Sequence, residues 1–199
     1  MARQVVIESH YNKGKMRLSI LIIFSSILFY ECSLSGSFKG LYSYYESAKR
    51  ANPNLFVEFD PDNILCEAKN SSVPRVYISN GVELRKCAFN INDAVFYIWS
   101  PRCKGEFCYS INTLQKKCDA KNIELFVIAE YYDIELMQTN YAIEKPVFAV
   151  DTKYYKTDLT SNYRARFVFD LTGGSNCTGR FIYLKNGLLI KSFNSIDLL

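Results

Sequence analysis

The chain has a single histidine, His10, which lies close to the N-terminus. The rest of the sequence has no imidazole to act as a general base or as a metal ligand. This absence excludes Ser-His-Asp and Cys-His catalysis and any zinc site that needs histidine. Chemistry in the globular part would have to use other residue types, and the seven cysteines are the first candidates.

A strong charge of one sign is also missing. The net charge is +4, and half of it comes from residues 1–31, which hold four basic and two acidic residues. The remainder is nearly neutral, so there is no electrostatic case for nucleic acid as a partner. A composition of 49% hydrophobic and 22% charged residues, over 199 residues, favours one folded domain of ordinary size.

The N-terminal region has the pattern of a secretory signal. Three basic residues, Lys13, Lys15 and Arg17, precede an apolar run of thirteen residues, Leu18–Tyr30, interrupted only by serines. A run of this length is too short to span a bilayer comfortably. We therefore predict a signal peptide over residues 1–31. Met16 is an alternative start, which would make residues 1–15 an artefact.

Cys32 directly follows this apolar run and is succeeded by a short, small and polar segment, 33–37. An apolar core that ends on a cysteine resembles a bacterial lipoprotein signal, in which Cys32 would be lipidated after cleavage. The alternative is an uncleaved anchor. The prediction is a domain tethered by lipid to a membrane of the bacterial cell envelope, at the periplasmic side or the cell surface. There its cysteines could form disulfides.

Residues 32–74 are predicted to form a tether, a helix and a loop, and residues 75–199 a globular domain. Helical spacing of apolar residues predicts a helix over Phe38–Arg50, and residues 54–74 are loop-like. Next, Asn80-Gly81 separates two short strand-like segments, 75–79 and 82–85. An Asn-Gly pair in this setting predicts a β-hairpin.

Strand and helix patterns alternate after residue 92. The predicted strands are 93–99, 123–129 and 146–150, the predicted helices are 104–120, 131–141 and 160–171, and a closing hairpin covers 180–193. A right-handed crossover over residues 93–129 would make the first two strands parallel. The prediction is an α/β fold with a mixed central sheet flanked by helices, preceded by an N-terminal hairpin and helix.

The segment after the first of these strands resembles the thioredoxin-like superfamily. It reads Trp99-Ser100-Pro101-Arg102-Cys103-Lys104-Gly105-Glu106, and the closing hairpin Phe181–Gly187 adds to the likeness. The resemblance covers residues 75–193 and implies a thioredoxin-like fold. It places Ser100 where redox members carry the attacking cysteine, and Cys103 at the resolving position.

The family also has a proline that faces its active site, just before the penultimate strand. Counting back from the closing hairpin puts this position near Thr178 or Gly179, where the sequence has no proline. Pro146 would then open an extra strand, as in lipoprotein thioredoxins and peroxiredoxins. Alternatively, Pro146 is itself the family's proline.

Three interpretations of Cys103 stay open. The thiol would sit where a strand gives way to a helix N-terminus, a position that stabilises a thiolate. It could be a relic in a non-catalytic domain, or a redox cysteine paired with Cys108 or with Cys177. It could also be a peroxidatic cysteine, with Ser100 as the hydroxyl residue three positions before it. A bridge to Cys108 requires the helix to begin after Gly105, because residues five apart do not share a helix face.

Besides Cys32, six cysteines remain, an even number that allows up to three disulfides in an exported domain. Cys66 and Cys87 would flank the first hairpin and are expected to pair. No Cys-x-x-Cys pair supports a metal site, and no cofactor is expected.

Two functions stay open. The enzymatic hypothesis is thiol-based oxidoreduction, with Cys103, Cys108 and Ser100 as the candidate catalytic residues. Its partner would be a protein thiol or disulfide. The alternative is a non-catalytic binding or structural module that keeps the fold without the attacking cysteine.

Overall fold

The strand β3, Asp93–Trp99, lies inside the sheet of this protein, between two neighbouring strands. The computed structural model describes residues 40–60, 66, 69–106 and 108–199, all within one compact unit, Phe38–Leu199. Residues 94–99 of β3 are only 0–6% exposed. Its continuous β-branched and aromatic run is typical of a strand that is buried on both faces.

Seven strands form one mixed sheet in the order β1-β2-β5-β4-β3-β6-β7. The first five strands of the chain are mutually parallel, whereas β6 runs antiparallel to β3 and β7 antiparallel to β6. The strands are β1 (Phe56–Glu58), β2 (Val76–Ser79), β3 (Asp93–Trp99), β4 (Glu124–Ala129), β5 (Val147–Val150), β6 (Phe181–Lys185) and β7 (Leu188–Phe193).

Helices cover both faces of the sheet. They are α1 (Tyr45–Ala51), α2 (Gly81–Phe89), α3 (Ile111–Asp119), α4 (Ile134–Met137), α5 (Thr152–Tyr155) and α6 (Thr160–Leu171), and two short 3₁₀ helices cover Pro53–Leu55 and Ile196–Leu198. Alternate residues of the strands point into two apolar clusters. One cluster is closed by α1, α3 and α4, and the other by α2, α5 and α6.

The predicted α/β class is confirmed, as are β3, the parallel pairing of β3 with β4, and the closing hairpin β6–β7. The sheet and its flanking helices are consistent with a thioredoxin-like fold. Pro146 directly precedes β5, which lies between β2 and β4 as an additional strand. The hairpin pairs with β3, and the backbone N–H of Ile98 donates to the carbonyl of Arg180 at 2.8 Å.

The predicted N-terminal hairpin is wrong. Asn80 is the N-cap of α2, and its side chain accepts a hydrogen bond from the backbone N–H of Glu83 at 3.0 Å. The Glu83 carboxylate accepts one in return from the backbone N–H of Asn80, at 3.3 Å, which completes a capping box. The pair Asn80-Gly81 therefore begins a helix, and β2 pairs with the parallel strands β1 and β5.

The N-terminal helix is shorter than predicted. It begins at Tyr45 rather than Phe38, because the backbone of Ser43 is bonded elsewhere. The Ser43 N–H donates to the carbonyl of Asp158 at 3.0 Å, and its own carbonyl accepts from the N–H of Tyr132 at 2.8 Å. The structure also places strand β1 inside the segment that was predicted to be a loop, 54–74. The helix predicted over 131–141 is reduced to the single turn α4.

Gly81 is required by the close packing of α2 on α6. A Cβ atom added there would lie 2.2 Å from the carbonyl oxygen of Phe167 and 2.7 Å from the backbone nitrogen of Leu171. No real side chain tolerates such distances to backbone, so the two helices would have to separate. The same residue's N–H donates to the hydroxyl of Tyr155 at 2.9 Å.

We therefore expect Gly81→Ala to lower the free energy of unfolding by about 2 kcal/mol, the usual cost of overpacking a dense contact. Urea denaturation measures the change. Gly105→Ala is the matched control, because its added Cβ would meet only Cys108 Sγ, at an ordinary 3.6 Å. An equal effect of the two substitutions would contradict the close contact of α2 with α6.

Candidate functional site

The loop that joins β3 to α3 contains a disulfide between Cys103 and Cys108, whose Cα atoms are 5.6 Å apart. Both cysteines are half-buried. The helix predicted over 104–120 begins only at Ile111, so the prediction is wrong for residues 104–106 and 108–110. Cys103 accordingly lies in a loop and not at a helix N-terminus. The helix dipole therefore does not stabilise its thiolate as expected.

Two turns bring the two sulfurs together. The backbone N–H of Cys103 donates to the carbonyl of Ser100 at 3.0 Å, which closes a turn with Pro101 at its second position. Proline presets the backbone angle that this position needs. In the second turn the N–H of Cys108 donates to the carbonyl of Gly105 at 3.0 Å, and the N–H of Gly105 donates to Cys108 Sγ at 2.9 Å.

Arg102 connects this loop by hydrogen bonds to the segment that follows β4. Its backbone N–H donates to the hydroxyl of Tyr131 at 3.0 Å. Its guanidinium donates to Asp133 Oδ2 at 2.5 Å and to Glu135 Oε2 at 2.6 Å. These hydrogen bonds, first to Asp133 and then to Glu135, raise the pKa of Arg102 above its ordinary value. The Asp133 side chain is only 2% exposed.

A cavity of about 270 Å³ opens beside the disulfide. Four of its ten lining residues are aromatic, Tyr97, Trp99, Tyr109 and Tyr141, and both cysteines also line it. Burial raises the pKa of Tyr97 and of Tyr141, so these phenols stay neutral in ordinary buffers. The disulfide is therefore the candidate reactive group beside this cavity.

Ser100 lies at the mouth of the same cavity, directly after β3. Its position matches the one that the sequence predicts for an attacking residue. A serine hydroxyl needs a base to become a nucleophile, and no residue between 40 and 199 is a histidine. Ser100 instead supplies the carbonyl that fixes Cys103.

The structure contains the expected disulfide between Cys66 and Cys87, whose Cα atoms are 5.2 Å apart. The two cysteines do not flank a hairpin, as the sequence predicts, because Cys87 lies on α2. Cys177 is unbonded and half-buried, and it packs against the apolar cluster on the α2 and α6 face. The bonding partner of Cys103 is thus Cys108 and not Cys177.

The remaining free thiol of the described part, Cys118, is buried in α3. Burial raises its pKa to about 11, so it is an unreactive core residue. Cys32, the predicted lipidation site, lies outside the described residues.

Neither a metal site nor a membrane span was found in the residues that the structure describes. No group of three or more acidic, cysteine or histidine side chains there could hold an ion. In the same residues, no helix is long and apolar enough to cross a membrane. The two disulfides are typical of a protein that folds in an oxidising compartment outside the cytoplasm.

Sequence reasoning missed the contacts of Arg102 with Tyr131 and Asp133. A signal for them was present, because these two residues directly follow the carboxyl end of β4. Strands β3 and β4 are parallel, so the segments that leave their carboxyl ends meet at one edge of the sheet. An arginine after one strand and an aspartate after the next are then natural partners.

Comparison with known proteins gives no relative to guide the assignment, since no protein-family model, no curated protein and no solved structure matches the chain.

The buried carboxylate of Asp133 should matter more to the loop than its exposed neighbour does. We expect Asp133→Asn to lower the urea midpoint clearly, because it removes the buried charge that pairs with Arg102. Glu135→Gln is the matched control and should leave the midpoint unchanged, because its side chain is 77% exposed. Equal midpoints for the two variants would refute this role of Asp133.

Proposed function

We propose that this chain is a membrane-tethered, thioredoxin-like domain of the bacterial cell envelope that exchanges disulfides with protein thiols. The Cys103–Cys108 pair is the redox couple. In the oxidised state it accepts two electrons from a client dithiol, and in the reduced state it donates them to a client disulfide.

One observation carries this proposal: a half-buried disulfide lies in the loop after the central strand, beside an open aromatic cavity. A purely structural cross-link has no need of such a cavity. The thioredoxin-like resemblance assigns the same loop to chemistry. The walls of Trp99 and Tyr141, whose rings meet edge to face at 5.7 Å, suit an apolar side chain next to the client's cysteine.

The tether rests on the sequence of the N-terminal region. The basic residues, the apolar run Leu18–Tyr30 and Cys32 follow one another as in a lipoprotein signal. Lipidation of Cys32 would keep the domain at the membrane surface in an oxidising compartment, where the loop disulfide can form.

A non-catalytic binding module is the second candidate, and the position of Ser100 favours it. The resemblance expects the attacking cysteine there, and this chain has a hydroxyl instead. In that case the disulfide would only brace the loop, and the aromatic cavity would be a binding surface.

Preferential reduction of the loop disulfide separates the two candidates. We expect Cys103–Cys108 to be reduced in glutathione buffers that leave Cys66–Cys87 intact, because both loop cysteines are half-buried, whereas in the other bond only Cys66 is half-buried and Cys87 is fully buried. Acid quenching, alkylation and peptide mass spectrometry of the full-length protein in detergent measure both bonds. Equal resistance of the two bonds would overturn the redox proposal and leave the binding module.

Turnover gives a second readout of the same proposal. Reduction of insulin by the pre-reduced protein should disappear in Cys103→Ser and persist in Cys177→Ser, the matched control on the other face of the sheet. Retained turnover in the first variant would show that the loop is not the redox centre.

Detergent-phase partitioning tests the tether. The wild-type protein, expressed in a bacterial host, should enter the detergent phase, and Cys32→Ser should lose the lipid and its mass increment. Ser33→Ala, one residue further on, serves as the matched control and should behave as the wild type. A wild-type mass without lipid would contradict the anchor.

A further inference from the structure

The two sulfurs of the loop disulfide have different surroundings. The backbone N–H of Gly105 donates a hydrogen bond to Cys108 Sγ at 2.9 Å. Among the described residues, Cys103 Sγ accepts no comparable hydrogen bond, and the N–H of Cys103 itself is committed to the carbonyl of Ser100 at 3.0 Å. An N–H donor stabilises a thiolate far more than it stabilises a neutral sulfur.

We infer that Cys108 is the stabilised thiolate of the reduced loop, and the leaving group when a client thiol attacks Cys103. This assignment rests on the proposed function. The donor does not depend on the disulfide, because the carbonyl of Gly105 accepts from the N–H of Cys108 at 3.0 Å. Because this turn is held by backbone atoms alone, we expect the Gly105 N–H to stay directed at Sγ when the sulfur–sulfur bond opens.

The charged side chains near the loop do not reverse this preference. Lys104 follows Cys103 directly and Glu106 lies two residues before Cys108, but both are exposed, and water screens their charges. The charge of Arg102 is offset by its ion pairs with Asp133 and Glu135. A hydrogen bond in direct contact with the sulfur outweighs an exposed charge on a flexible chain.

The reaction balances with a client dithiol as the reductant. A client thiolate attacks Cys103 Sγ, the bond between the two loop sulfurs breaks, and its electron pair goes to Cys108 Sγ. The second client thiolate then attacks the client sulfur of the mixed disulfide. The client gains a disulfide and loses two electrons, and Cys103 leaves as a thiolate that takes a proton from water. A sulfur whose thiolate is stabilised is the faster leaving group.

Competitive alkylation of the reduced full-length protein tests the assignment. With limiting iodoacetamide at about pH 6, below the usual titration range of cysteine, we expect Cys108 to react about tenfold faster than Cys103. At about pH 10 both sulfurs are thiolates, so the ratio measured there corrects for access. Peptide mass spectrometry measures both rates. A corrected ratio of one, or in favour of Cys103, would overturn the inference.

Two substitutions at Gly105 isolate the hydrogen bond. Gly105→Pro removes the N–H and should slow alkylation of Cys108 at about pH 6 about tenfold. Gly105→Ala keeps the N–H, and its Cβ would meet Cys108 Sγ at an ordinary 3.6 Å, so the wild-type rate should remain. Equal rates in the two variants would refute the role of this donor. If the proline variant does not fold, the wild-type ratio still decides.

The outcomes also separate this inference from the proposed function. Preferential alkylation of Cys108 in a protein whose loop disulfide resists glutathione would support the thiolate assignment and reject the redox function. Reduction of the loop without such a preference would support the function and reject the assignment.

Discussion

Burial of β3 on both faces is the constraint on which the rest of this structure depends. The strand hydrogen-bonds to parallel β4 on one side and to antiparallel β6 on the other, and both apolar clusters take alternate side chains from it. A shift by one residue would turn every one of these side chains to the opposite cluster. The end of the strand at Trp99 is therefore fixed, and with it the point where the loop begins.

The position of the loop follows from the direction of the strands. Because β3 and β4 are parallel, the segments after them leave from the same edge of the sheet, and Arg102 reaches the buried carboxylate of Asp133 there. The loop is thus held at two places, by this ion pair near its start and by the bond from Cys103 to Cys108 further on. Both restraints keep the sulfurs beside the aromatic cavity.

The sequence predicted those elements whose pattern depends on burial alone. The apolar run of β3 and the helical spacing of α6 have no competing interpretation, and both were located correctly. Asn80-Gly81 was misassigned because the same dipeptide suits a hairpin turn and a helix start. The helix start is distinguished by Glu83, which completes the capping box with Asn80, and by the close packing of Gly81 on α6. The residues before Ile111 have helical periodicity, but a disulfide across five residues cannot form on one helix face.

In this loop a backbone N–H, rather than a helix dipole, is the group placed to stabilise a thiolate. The thioredoxin-like resemblance places a redox cysteine at a helix N-terminus, where the helix dipole stabilises the thiolate. In this chain α3 begins three residues after Cys108, so the stabilisation of a thiolate by the helix dipole is weakened. The residue at position 100 is a serine and has no sulfur. The second sulfur lies on the C-terminal side of Cys103, and the N–H of Gly105, within the loop itself, is the donor in contact with it. The loop thus directs a backbone donor at a sulfur where the thioredoxin-like resemblance predicts a helix N-terminus.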